Sequence, residues 1–227
     1  MPFPDLPDRL NTVRRHIEEA VRRGGHGQTV TIVGVTKSHG PDAVLAAWNA
    51  GLTDVGENRV QEAISKMDAV SVPVRWHLIG HLQTNKVKAI PRFSLFHALD
   101  SARLADAVNE LGTSSGTPID SLVQVNVIGE HSKGGFSPSE LPGEAERLRG
   151  MSGLRVRGIM TMAPLDADAA TLRVIFGAAR HGREVLADAG HPATELSMGM
   201  SDDYEIAVEE GATYVRLGTV LFGARSA

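Results

Sequence analysis

The 227-residue chain contains no cysteine. Disulfides, thiolate nucleophiles and cysteine-ligated zinc are excluded with it, and the composition suits a reducing compartment. Long apolar runs are missing too: none approaches the roughly 20 residues that span a bilayer. Met1 to Leu10 hold three prolines and no apolar core, so no signal peptide is expected there. Charge of one sign is scarce. With 23 Lys and Arg against 27 Asp and Glu, the net charge is −4, which offers no electrostatic footprint for nucleic acid or an anionic membrane. No Pro-, Gly- or Ser-rich linker, low-complexity tract or internal repeat divides the chain. The expectation is one domain over residues 1–227, cytoplasmic and monomeric.

What is present is globular: 42% hydrophobic and 22% charged residues, enough for a core without staples. Leu10, Val13, Ile17, Ala20 and Val21 recur at helical spacing until Gly24 and Gly25 stop the pattern. Val30 to Thr36 is a β-branched run that does not alternate with polar residues, as a strand buried on both faces requires. Seven further strand-like segments follow, near Asp54, Arg75–Ile79, Ser94–Ala98, Asp120–Val127, Arg155–Met160, Ala193–Leu196 and Tyr214–Leu217. Helical segments separate them, among them Ser137 to Arg149, Asp202 to Glu210 with Ser201 as its cap, and a last short piece to Arg225. Gly112–Gly116 and Gly129–Gly135 read as loops. Eight βα units after a leading helix predict a closed (β/α)8 TIM barrel. A doubly wound open sheet is the alternative.

Barrel sites lie at the C-terminal ends of the strands. Those ends carry Thr36-Lys37-Ser38-His39, Gly56-Glu57-Asn58, Ile79-Gly80-His81, Gln124-Val125-Asn126, Met160-Thr161, Ser197 to Ser201, and Arg216 to Thr219. A lysine closing a buried strand, as Lys37 does, is partly desolvated. That favours the neutral amine that attacks a carbonyl, although a lysine snorkelling at the rim looks the same in sequence. Ser201, Gly218 and Thr219 fall at the seventh and eighth strand ends, where barrels bind phosphate through backbone amides and a short helix start. Taken singly, Ser201 reads sooner as a helix cap and Gly218 as a turn residue; together, at two adjacent strand ends of one barrel, they favour a phosphate cup. Arg216 lies within an apolar strand and needs a partner, an ordinary salt bridge being one option. His77 and His81 are four residues apart with no third ligand beside them, so no metal site is expected. Asp202 and Asp203 read as helix N-terminal charge, and Met198 and Met200 as pocket lining.

Several of these segments together resemble the YggS/PROSC family of pyridoxal phosphate homeostasis proteins. The resemblance rests on Val35-Thr36-Lys37, Val55 to Glu62, Trp76 to Lys86, Gln124-Val125-Asn126, Leu196 to Ser201, and Val215 to Thr219 continuing through Phe222-Gly223. It runs from about Val30 to Arg225, in the family's order. It implies a barrel of the alanine racemase type without that enzyme's second domain, and pyridoxal 5'-phosphate (PLP) held as a Schiff base on Lys37. It also implies a phosphate held by Ser201, Gly218 and Thr219 with Gly199 nearby, Arg216 facing the pyridine nitrogen, and Asn58 near the cofactor. An arginine there cannot take the ring's proton, so carbanion stabilisation is expected to be weak. The chain stops at Ala227, and its only tyrosines are Tyr204 and Tyr214, so no second acid/base is evident. The reading is a protein of intracellular PLP homeostasis without strong turnover, lending PLP to apo PLP-dependent enzymes. A racemase or transaminase-like enzyme is the alternative, and a lysine aldolase acting on a phosphosugar is more remote. Two departures bear on cofactor transfer: His39 replaces a second lysine found in some relatives, and their lysine-bearing tail is lacking.

Overall fold

The structure, a computed structural model, describes residues 2–130 and 134–223. Helix α1 (Leu6–Gly24) buries Leu6, Leu10, Val13, Ile17 and Ala20 along one stripe and ends where Gly25 turns left-handed and donates its N–H to Val21. Eight strands follow: β1 (Thr31–Val35), β2 (Asp54–Glu57), β3 (Arg75–Leu78), β4 (Leu95–Leu99), β5 (Ile119–Gln124), β6 (Leu154–Met160), β7 (Glu195–Ser197) and β8 (Tyr214–Leu217). They pair in chain order, all parallel, and β1 pairs with β8 to close the barrel. Closure disposes of the open doubly wound sheet. The strands are nearly continuously buried, β4 throughout, because helices cover the outside.

The covering helices are α2 (Pro41–Asn49), α3 (Val60–Ala69), α4 (Ala102–Ser115), α5 (Leu141–Arg149), α6 (Ala169–Asp188), α7 (Tyr204–Glu209) and α8 (Thr219–Phe222). A 3-10 helix, Thr84–Arg92, stands between β3 and β4 and carries Pro91 in its last turn. Among the described residues no helix is long and apolar enough to cross a membrane.

Three segments differ from the sequence reading. β5 stops at Gln124: Val125 N–H still donates to the Met160 carbonyl of β6, but Asn126 N–H donates to the Phe136 carbonyl, and Phe136 N–H to the Gln124 carbonyl. The helix expected from Ser137 begins at Leu141, since Ser137 to Glu140 form a turn in which Ser137 N–H and Oγ both bond to the Glu140 carboxylate. Ser201 does not cap α7, which begins at Tyr204. The expected terminal helix is α8. Arg225 lies outside the described residues, as do residues 131–133 of the loop expected over Gly129–Gly135.

Candidate functional site

A cavity of about 900 Å³ opens at the C-terminal ends of the strands, within the range of small-molecule sites. Lys37, Asn58, Ser201, Arg216, Gly218 and Thr219 all line it. Gly199 stands behind the wall. Its φ of +93° suits glycine, a Cβ there would meet Ala207 at 2.7 Å, and its carbonyl accepts the Arg216 backbone N–H at 2.9 Å.

Lys37 sits in the turn that follows β1. The turn closes through His39 N–H to the Thr36 carbonyl (3.0 Å) and holds Ser38 at φ +65°, unusual for a residue with a side chain. A buried charged cluster clamps it from below. Lys66 Nζ donates to the Thr36 carbonyl (2.8 Å), to Glu57 Oε1 (2.7 Å) and to Glu62 Oε1 (2.8 Å). Thr36 Oγ1 donates to Glu57 Oε1 at 2.5 Å, and Ser38 N–H to Glu62 Oε1 at 2.7 Å. Burial pushes the Glu57 carboxyl up despite Lys66 and Thr36. At Glu62 burial acts the same way, but Lys66 and the Ser38 N–H outweigh it and hold the carboxyl below its ordinary value. His39 packs its ring against Phe3 and Phe222, with centroids at 5.3 and 5.7 Å.

On the neighbouring strand β8, Arg216 is buried. Its direct partners are not a carboxylate: Nη1 donates to Ser197 Oγ (2.7 Å) and Nη2 to the Thr161 carbonyl (2.9 Å). Burial pushes its pKa down to about 10, partly countered by Asp203, so it stays charged at neutral pH. Ser201 Oγ accepts the Val220 N–H at 3.2 Å, tying the end of β7 to the first turn of α8. That bond replaces the expected cap and brings Ser201 beside Gly218 and Thr219.

The far wall includes a histidine–carboxylate pair, His81 Nδ1 to Asp100 Oδ2 at 2.6 Å, with Gln124 beside it donating to the Gly134 carbonyl. Asp100 follows β4 immediately, so the strand-end rule applied to the fourth strand points to it. Met200 lines the cavity as expected, whereas Met198 is buried in the core. His77 points into the barrel, away from His81. Neither tyrosine lines the cavity: Tyr204 bonds His16, and Tyr214 stacks near His77 and His97. Lys66 was not legible as a functional residue, though its (i, i+4) spacing from Glu62 on α3 hints at the pair. The donor set of an amine, a guanidinium, two hydroxyls and glycine backbone around one cavity fits a small molecule bearing both a carbonyl and a phosphate.

Residues 9–226 match the alanine racemase N-terminal domain family. The chain is 39% identical to the pyridoxal phosphate homeostasis protein of Pseudomonas aeruginosa, over 97% of this chain and 96% of that one. It is 34% identical to its Escherichia coli counterpart, over 97% of each. Among solved structures, PipY of Synechococcus elongatus PCC7942 with PLP bound superposes with a TM-score of 0.85 at 35% identity, covering 96% of this chain and 100% of that one. Alanine racemase of Corynebacterium glutamicum shares the fold, with a TM-score of 0.71 at 16% identity over 95% of this chain and 61% of that one.

Proposed function

The chain belongs to the pyridoxal phosphate homeostasis proteins of the alanine racemase N-terminal domain family, and from that premise we propose that it holds PLP as a Schiff base on Lys37 without strong turnover of a substrate. The observation that carries the reading is that one cavity gathers Lys37, Ser201, Arg216, Gly218 and Thr219. When bound, PLP supplies an aldehyde for an amine and a ring that withdraws electrons from a carbon attached through that link.

Lys37 presents its amine from a turn whose backbone is fixed by Lys66, Glu57 and Glu62. The Ser201 and Thr219 hydroxyls, with the backbone at Gly218, would hold the phosphate. Asn58 stands at the cavity wall and Gly199 supports Arg216 from behind. Arg216 donates protons and accepts none, so it would leave the ring nitrogen unprotonated and the electron sink shallow. A shallow sink suits storage and release better than α-carbon chemistry. Titrating apo-protein with PLP tests this: the wild type gains a visible absorbance band that Lys37→Ala does not. A wild type that stays colourless contradicts it.

A second reading, a racemase- or transaminase-like enzyme, draws support from the His81–Asp100 pair on the far wall, which has the form of an acid/base dyad. Deuterium exchange at the α-carbon of small amino acids separates the two. Exchange no faster than with free PLP favours the carrier, and faster exchange that His81→Asn abolishes favours the enzyme. The carrier reading extends to a cytoplasmic monomer that lends PLP to apo PLP-dependent enzymes. Activity regained by such an apo-enzyme mixed with the loaded protein tests that step.

A further inference from the structure

The barrel interior holds a continuous polar chain that leads away from the cavity. Arg216 Nη1 donates to Ser197 Oγ at 2.7 Å, and that oxygen lies 2.8 Å from His97 Nδ1. His97 Nε2 lies 2.9 Å from His77 Nδ1, and His77 Nε2 lies 2.9 Å from Asp54 Oδ1. Beyond Asp54, Arg75 grips both carboxylate oxygens, at 2.8 and 2.7 Å, and the Thr53 hydroxyl adds a bond at 2.8 Å. Asp54, His77, His97, Ser197 and Arg216 come from β2, β3, β4, β7 and β8, and all are buried. The Arg75 side chain reaches solvent at the N-terminal end of the barrel, 61% exposed.

Chemistry gives this chain a direction. A guanidinium only donates and a carboxylate only accepts. Between them, with two neutral imidazoles, one arrangement of protons satisfies every contact. His77 Nε2–H donates to Asp54, His97 Nε2–H donates to His77 Nδ1, and the Ser197 hydroxyl donates to His97 Nδ1 while accepting from Arg216. Burial, with His77 and Arg216 close by, holds the His97 imidazole well below its usual pKa, which keeps it neutral. At Asp54 burial acts to raise the pKa, but the bonds from His77, Arg75 and Thr53 outweigh it and keep the carboxylate ionised.

We propose that Ser197, His97, His77 and Asp54 are positioning residues for Arg216, a directed hydrogen-bond relay that fixes its guanidinium and ends on a carboxylate at the opposite end of the barrel. The consequence for bound cofactor rests on the reading that PLP lies on Arg216; the relay itself does not. Asp54, remote from the cavity, then acts on the ring environment through four intervening groups.

The test has two arms. Long-range proton–nitrogen NMR of histidine-labelled apo-protein at neutral pH is expected to show His97 protonated on Nε2 and bare on Nδ1. In Asp54→Ala the His97 nitrogen shifts move, although the substitution is two links away. In the second arm, PLP added to Asp54→Ala is expected to bind about tenfold more weakly, with a displaced visible band. Ser197→Ala cuts the relay at its other end and gives the same result should Asp54→Ala fail to fold. Nδ1–H on His97 overturns the proposal. So does a substituted protein with unchanged His97 nitrogen shifts and an unchanged PLP spectrum. The nitrogen spectra need no cofactor, so they decide on the relay even if PLP is not the ligand.

Discussion

Lys66 is buried to within 3% of full enclosure, and its ammonium answers two carboxylates and a carbonyl at once. Removing one partner of such a group leaves the other charge stranded. Lys66→Met is therefore expected to cost about 3–5 kcal/mol of unfolding free energy, measured by urea denaturation, and the double substitution Lys66→Met with Glu57→Gln to recover part of that loss. Asp54 makes the second residue-scale prediction. Its folded pKa lies below the ordinary 3.8 because the His77, Arg75 and Thr53 bonds outweigh burial. Its contribution is thus fully present above 3.8 and is lost as pH falls from there toward the folded value. Urea midpoints measured at falling pH should drop more steeply below about pH 4 for the wild type than for Asp54→Ala, and parallel curves would contradict this. Neither Lys66 nor Asp54 was legible as functional. A charged residue on a helix or strand carries no mark of its tertiary partner, and Ser197 and His97 meet from 100 residues apart. That Lys37, Ser201, Arg216, Gly218 and Thr219 line one cavity was legible, because a barrel puts consecutive strand ends around one rim.

Elements obey packing where packing and propensity conflict. Gly112 lies inside α4, where alanine would ordinarily stabilise a helix by about 1 kcal/mol. A Cβ at that position would sit 1.9 Å from the Gly153 carbonyl oxygen, in the turn leading to β6. Gly112→Ala is therefore expected to destabilise, by about 1–3 kcal/mol, and a rise in thermal midpoint would refute the contact. The same conflict explains the misread boundaries. Ser201 has the chemistry of a cap, yet its hydroxyl is taken by Val220 N–H. The apolar run of β5 continues past Gln124, and Val125 N–H still reaches Met160 of β6, but Asn126 bonds to Phe136 instead of the next strand. Helix and strand existence followed from periodicity, while ends were set by tertiary partners that periodicity does not encode.

For the whole molecule, a closed barrel in strict chain order places the Lys37 turn next to the Arg216 strand, because β1 pairs with β8. The first and last strands thus contribute Lys37 and Arg216 to one cavity. A ligand that binds only this closed form stabilises it by about 2.7 kcal/mol at a hundredfold excess over Kd. PLP at that excess should raise the thermal midpoint by about 5–10 °C, and Lys37→Ala should reduce the gain. The most direct measurement is peptide mapping by mass spectrometry after borohydride reduction of the PLP-loaded protein. The account predicts one reduced pyridoxyl-phosphate adduct, on Lys37, absent from Lys37→Ala. No adduct, or an adduct carried only by another lysine such as Lys86, would contradict it.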